Sequence, residues 1–127
     1  MDQVNKILQI LGFGISEDPG RAPVSRGKAA ALLHEYLRDQ LHLKDLPDIS
    51  GAEALRDLYD CRVCVNHIAQ VYLRGIMDGI PYQEVAEDFL IFDHRRLLTE
   101  EEALQAAERI AELSSETKNI YPETHEQ

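Results

Sequence analysis

A chain of 127 residues fits one domain of ordinary size. Lys and Arg total 13 against 23 Asp and Glu, a formal net charge of −10 that sets the chain against unaided binding to nucleic-acid backbone or an anionic membrane. Apolar residues at 44% supply enough burial to exclude a wholly disordered chain, and no apolar run approaches the ~20 residues that cross a bilayer.

The hydrophobic period is helical almost throughout. Val4, Ile7, Leu8 and Leu11 share one face of a first helix, which Gly12-Phe13-Gly14 ends by supplying a left-handed cap. Residues 16–24, with Pro19-Gly20 and Pro23, read as a loop. Ser25 N-caps a second helix, in which Ala29, Leu32, Leu33, Tyr36 and Leu37 recur at helical spacing to about residue 42. A connector from Lys44 to Asp48 contains Pro47. Ser50 and Glu53 form S-x-x-E, a capping box, and open the third and longest helix. Its stripe is Leu55, Leu58, Val65, Ile68, Val71 and Tyr72, with Cys61 and Cys64 on the flank, and it stops near Gly75. Pro81 suits the first turn of a short fourth helix with Val85, Ala86 and Phe89 inward. Phe92 to Leu98 is a loop or short extended piece. Thr99 to Glu102 is a second capping box, whose acids complement the positive helix end. Ala103, Leu104, Ala107, Ile110 and Ala111 carry the last helix to about Ser114, and residues 115–127 form a polar, flexible tail. No segment alternates as a strand does. The expected fold is therefore all-α: one domain over residues 1–114, a small bundle of about five helices.

Chemistry-bearing residues are few. Cys61, Cys64 and His67 have metal-ligand spacing, and His94 could complete a zinc site. On one regular helix, however, the three groups fan across ~120° and climb ~4.5 Å per step, which one tetrahedral ion does not easily accept. The plainer reading makes the cysteines small core residues and His67 partly buried, so no metal or cofactor is expected. At that helical spacing a mutual disulfide is strained, and two reduced thiols fit a cytoplasmic protein. No basic segment followed by an apolar core opens the chain, which also points to the cytoplasm, unless the chain is a piece of a larger exported protein. A nucleophilic Cys64–His67 pair lacks an orienting third group, so no enzyme is expected. The paired acids Glu101-Glu102 and Glu87-Asp88 read as solvated faces. Arg95 and Arg96 stand just before the Thr99 cap. If they lie near Arg26, the three form a positive groove and are the candidate binding residues; the plain alternative is surface ion pairing.

An internal repeat organises these elements. Ile7-Leu8-Gln9-Ile10, Gly14-Ile15, a loop and Val24-Ser25-Arg26-Gly27-Lys28-Ala29-Ala30 run parallel to Ile68-Ala69-Gln70-Val71, Gly75-Ile76, a longer loop and Leu98-Thr99-Glu100-Glu101-Glu102-Ala103. This grammar resembles the S-layer homology family, whose repeats read "A-I-x-x-L-x-x-x-G-I-x-x-G … F-x-P-x-x-x-[IL]-T-R-A-E-A". Gly75-Ile76 and Gly79 match its glycine turn, and Phe92 stands seven residues before Thr99 as the pattern's Phe does. The units span about residues 4–42 and 47–114. The resemblance implies helix–loop–helix repeats and non-catalytic binding of secondary cell-wall polysaccharide, with the Arg of T-R-A-E on an acidic sugar. Here Ser25-Arg26-Gly27-Lys28 keeps the Arg but replaces the Glu by Lys28, and Thr99-Glu100-Glu101-Glu102 replaces the Arg by Glu100.

The expectation is thus a non-catalytic interaction module that binds a protein partner more readily than a cell-wall glycan, with no direct nucleic-acid or membrane contact. Its stripes could close within one chain or across a homodimer. The alternative is a small acidic inhibitor of a nucleic-acid-binding protein, with acid clusters at 84–88, 100–102 and 108–112 imitating phosphates.

Overall fold

The computed structural model describes residues 2–13, 24–82, 84–86 and 89–120. The Gly14-Ile15 match, most of the 16–24 loop, the acids Glu87 and Asp88, and the tail beyond residue 120 lie outside the described residues.

Helices form where the apolar spacing and caps demand them. Helix α1 (Asp2–Ile10) buries Val4, Ile7 and, one residue beyond, Leu11. It closes with the Gly12 N–H donating to the Gln9 carbonyl and the Phe13 N–H to the Leu8 carbonyl, with Gly12 at φ +90°. That is a Schellman motif, and it needs a residue free to adopt positive φ. Helix α2 (Arg26–Asp39) begins with the Ser25 hydroxyl accepting from the Lys28 N–H. Helix α3 (Val65–Leu73) ends as α1 does. The Gly75 N–H donates to the Tyr72 carbonyl and the Ile76 N–H to the Val71 carbonyl, with Gly75 at φ +76°. Helix α4 (Glu100–Ile120) opens on the complete capping box: the Thr99 hydroxyl accepts from the Glu102 N–H, and the Glu102 carboxylate accepts from the Thr99 N–H. It runs six residues past the expected end at Ser114.

The third expected helix is shorter than its stripe suggests. From Ser50 to Cys64 the chain makes three separate 3-10 turns, Ser50–Ala54, Leu58–Asp60 and Arg62–Cys64, and turns α-helical only at Val65. The Ser50–Glu53 capping box does not form; the Ser50 N–H instead donates to the Asp48 carboxylate. The reason is tertiary. Leu55 pairs with Leu90 in a parallel bridge, and the Arg56 N–H donates to the Leu90 carbonyl. Backbone groups committed to a distant strand cannot continue a helical ladder.

That strand belongs to a feature the sequence pattern did not announce. In place of a fourth helix at Pro81, strand β1 (Ile80–Pro81) pairs antiparallel with β2 (Leu90–Ile91), in the register Ile80–Ile91 and Pro81–Leu90. The described residues thus hold four α-helices and one small two-stranded sheet rather than about five helices. The chain is predominantly helical, and no described helix is long and apolar enough to cross a membrane.

α1 packs on α4 and α2 on α3. The interior is shared by Ile7, Leu11, Leu33, Leu37, Leu55, Ile68, Phe92 and Ile110, all essentially inaccessible. Within the same interior, the fully buried Gln70 amide clamps the connector. Its Oε1 accepts from the Leu46 N–H, and its Nε2 donates to the Leu46 carbonyl and to Asn66 Oδ1. Phe92→Ala should cost about 3–5 kcal/mol of unfolding free energy, the usual result of emptying a buried aromatic site. Thr99→Ala should cost about 1 kcal/mol through the lost cap. Urea denaturation of the two variants beside the parent chain measures both.

Candidate functional site

Arg26, the sequence's leading binding residue, is only 2% exposed. Its backbone heads α2, and its side chain crosses the molecule. Nε donates to the Phe92 carbonyl, Nη2 to the Asp78 carbonyl and Nη1 to Glu102 Oε2, each at 2.7 Å. The guanidinium also stacks 4.4 Å over the Phe92 ring. Burial pushes its pKa below the usual arginine value, and Glu102 opposes that shift. Glu102 therefore has two tasks: one oxygen completes the α4 cap and the other meets Arg26. Nothing in a one-dimensional pattern distinguishes an exposed glycan-binding Arg from a buried strut. The one available signal is the second, unspent oxygen that every capping-box Glu carries.

Arg26, Arg95 and Arg96 do not converge into one positive groove. Arg26 and Arg96 border a cleft of about 300 Å³ that Asp78 and Glu102 also line, so two cations face two anions. Arg95 instead borders an acidic recess with Asp57, Asp60 and Asp93. The Arg96 contribution to the strut is its backbone: its carbonyl accepts from the Arg26 N–H.

The segment carrying the cysteines has a different geometry from the one its spacing suggested. Cys61 and Cys64 are joined in a disulfide, where reduced thiols were expected. The expected strain assumed a helix, yet Cys61 is extended, at φ −117° and ψ 99°, between two 3-10 turns. The Cα atoms sit 5.2 Å apart, within the ordinary range for a bridge. His94 is the third member of the group. Its turn follows β2 and is tied down from two sides. Asp57 accepts from the Phe92 and Asp93 N–H groups, at 2.7 Å each, while Asp93 takes the left-handed φ of +59° that Asp tolerates better than most residues. The Gly27 N–H donates to the His94 carbonyl at 2.9 Å. A Cβ on Gly27 would stand 3.0 Å from the His94 Cβ, so glycine is what allows the approach. Consequently the Cys61 sulfur, the Cys64 sulfur and an imidazole nitrogen of His94 all lie within 4.8 Å of one another.

His67 is not in that set. Its Nδ1 faces His34 Nδ1 at 2.8 Å, and His34 Nε2 meets Asp45 Oδ1 at 2.6 Å. An ionised Asp45 accepts only, so His34 donates to it from Nε2; with both rings neutral, His67 then donates from Nδ1 to His34. Asn66 donates to the other Asp45 oxygen. Hydrogen bonds from His34 and then Asn66 hold the Asp45 pKa below the ordinary 3.8. Burial, with help from the neighbouring His34, holds His67 below the ordinary 6.5. Asp45 and His34 lie on different elements from His67, so spacing along the chain does not reveal this relay. His67, Cys64 and His94 together line a shallow groove of about 350 Å³ beside the head of α2.

Comparison with protein-family models, with curated proteins and with solved structures gives no match.

Replacing Glu102 by Gln removes the charge opposite a buried guanidinium. It should cost about 1.5–3 kcal/mol, the range for hydrogen bonds to charged groups. The exposed neighbour Glu101→Gln should change stability by less than about 0.5 kcal/mol; chemical denaturation separates them. The histidine chain gives a pH slope. A base with a depressed folded pKa contributes stability that is present above 6.5 and lost as pH falls through the folded value. Asp45 adds a second loss, as pH falls below 3.8 through its own depressed value. Melting temperature should therefore drop as pH falls below about 6.5, and His67→Gln should flatten that drop in a series of thermal melts.

Proposed function

We propose that the chain is a non-catalytic interaction module, built of two degenerate units resembling S-layer homology repeats, and that its partner is a protein rather than a cell-wall glycan. The kinship is supported by paired detail. α1 and α3 both close on Schellman motifs, although in α1 the glycine is Gly12 and not the Gly14 that the repeat aligns with Gly75; α2 and α4 open on the hydroxyls of Ser25 and Thr99, and the segments at those caps pair with each other through Ser25 and Leu97. The departure from glycan binding is supported by Arg26. The residue at the family's sugar-binding position spends its donors on Phe92, Asp78 and Glu102 inside its own fold.

One observation carries the choice of a protein partner. Val63, 86% exposed, lines the groove beside α2, and Leu97, 64% exposed, pairs through its backbone with Ser25, another residue of that lining. Large apolar side chains standing this far out beside a groove lined by Lys28 and two histidines suit a protein surface better than a sugar acid. The test is capture from a lysate of the producing cells on the immobilised chain, run beside a Val63→Glu, Leu97→Glu double variant and beside purified secondary cell-wall polysaccharide. A protein retained by the parent and lost from the double variant, with no polysaccharide retained, is the expected result. Retention of polysaccharide alone overturns it.

A second reading has one observation in its favour. Glu101, Glu108 and Glu112 recur at helical spacing on the exposed face of α4. An acidic row of this kind suits an inhibitor that occupies a basic nucleic-acid groove. Capture insensitive to Val63 and Leu97 but abolished by added salt would favour this reading instead.

A further inference from the structure

The grouping of Cys61, Cys64 and His94 has a chemistry that the interaction reading does not use. Structural zinc sites take ligands from turns and loops, with two cysteines about three positions apart. Here Cys61 is extended between two 3-10 turns, Cys64 ends the Arg62–Cys64 turn ahead of α3, and His94 arrives from the turn after β2. The regular helix that argued against a shared ion is absent. The three ligand atoms lie within 4.8 Å of one another. A tetrahedral ion with Zn–S near 2.3 Å and Zn–N near 2.1 Å spaces its ligands by roughly 3.5–4 Å, a difference that rotation of a freed thiolate covers. All three residues are half-buried, open enough for an ion to enter. The Asp57 carboxylate and the Gly27 N–H hold the His94 turn independently of the cysteines, so the imidazole is already placed.

We propose that Cys61, Cys64 and His94 bind one thiophilic divalent cation, Zn2+ or Co2+, once a phosphine or thiol reductant has opened the Cys61–Cys64 bond. With a phosphine, two electrons pass to the S–S bond. Water supplies the oxygen of the phosphine oxide, and its two protons end on the two thiols. The cation then displaces those two protons and takes the thiolates together with a neutral His94 nitrogen. The fourth position belongs to water or to a group from the groove that Cys64 and His94 line. Disulfide and metal exclude each other, so the site reports redox state: bridged when oxidised, loaded when reduced. The proposal rests on this geometry alone and stands or falls separately from the partner.

The test uses the full chain, reduced with a phosphine and titrated anaerobically with Co2+. The expected result is one equivalent bound, with the d–d bands of tetrahedral Co2+ and a thiolate-to-cobalt charge-transfer band, all bleached by one equivalent of Zn2+. The oxidised chain should show none of this. Cys61→Ser, Cys64→Ser and His94→Gln should each weaken binding at least about tenfold, judged beside far-ultraviolet circular dichroism of each variant. If the reduced parent chain stays folded but gives no tetrahedral spectrum, the proposal fails. It fails equally if the reduced chain unfolds and Zn2+ does not restore it, or if a folded His94→Gln variant binds as tightly as the parent.

Discussion

The contact between Arg26 and Glu102 organises this protein. Glu102 lies in the first turn of α4 and Arg26 heads α2, so one 2.7 Å ion pair joins two helix starts that are 76 residues apart in the chain. The remaining guanidinium donors reach the carbonyls of Asp78 and Phe92 on either side of the small hairpin. A single buried cation thus ties both helix heads and the intervening β segment to one point. A buried charge is tolerated only when its hydrogen bonds are met, and here carbonyls, a carboxylate and an aromatic face meet them together. The same demand makes the arrangement specific, because any slippage of α4 against α2 would leave the guanidinium unpaired.

Local signals were legible where the chemistry that forms an element is also local. Ser25, Thr99 and the glycines at 12 and 75 act on neighbours within a turn, and each stands at the helix terminus its residue type suggests. The stripe from Leu55 to Tyr72 was misleading because apolar periodicity records burial, not hydrogen bonding. Leu55 and Leu58 are buried as the period requires, yet their backbones turn as 3-10 and extended segments to serve β2. Pro81 was read as a helix start because its φ suits that role; it equally suits a short edge strand, where its missing N–H goes unneeded.

The candidate site divides along the same line. The Cys-x-x-Cys spacing and the eventual nearness of His94 were visible as residue types, but their geometry depended on a helix that tertiary pairing removed. His67 was grouped with the cysteines by sequence distance, and the fold gives it to His34 and Asp45 instead. Arg95 and Arg96, adjacent in the chain, face different recesses. Each outcome follows from long-range placement, which residue spacing does not encode.

Gly27 shows how little material separates these arrangements. Its hydrogen atom, in place of a methyl group, lets the head of α2 settle against the backbone of the His94 turn. The position a methyl would occupy is also 3.7 Å from the Cys64 sulfur. A single carbon atom there would press on the Cβ and carbonyl of His94 while merely touching the Cys64 sulfur. The seat of the His94 turn is therefore set by a residue that has no side-chain chemistry of its own.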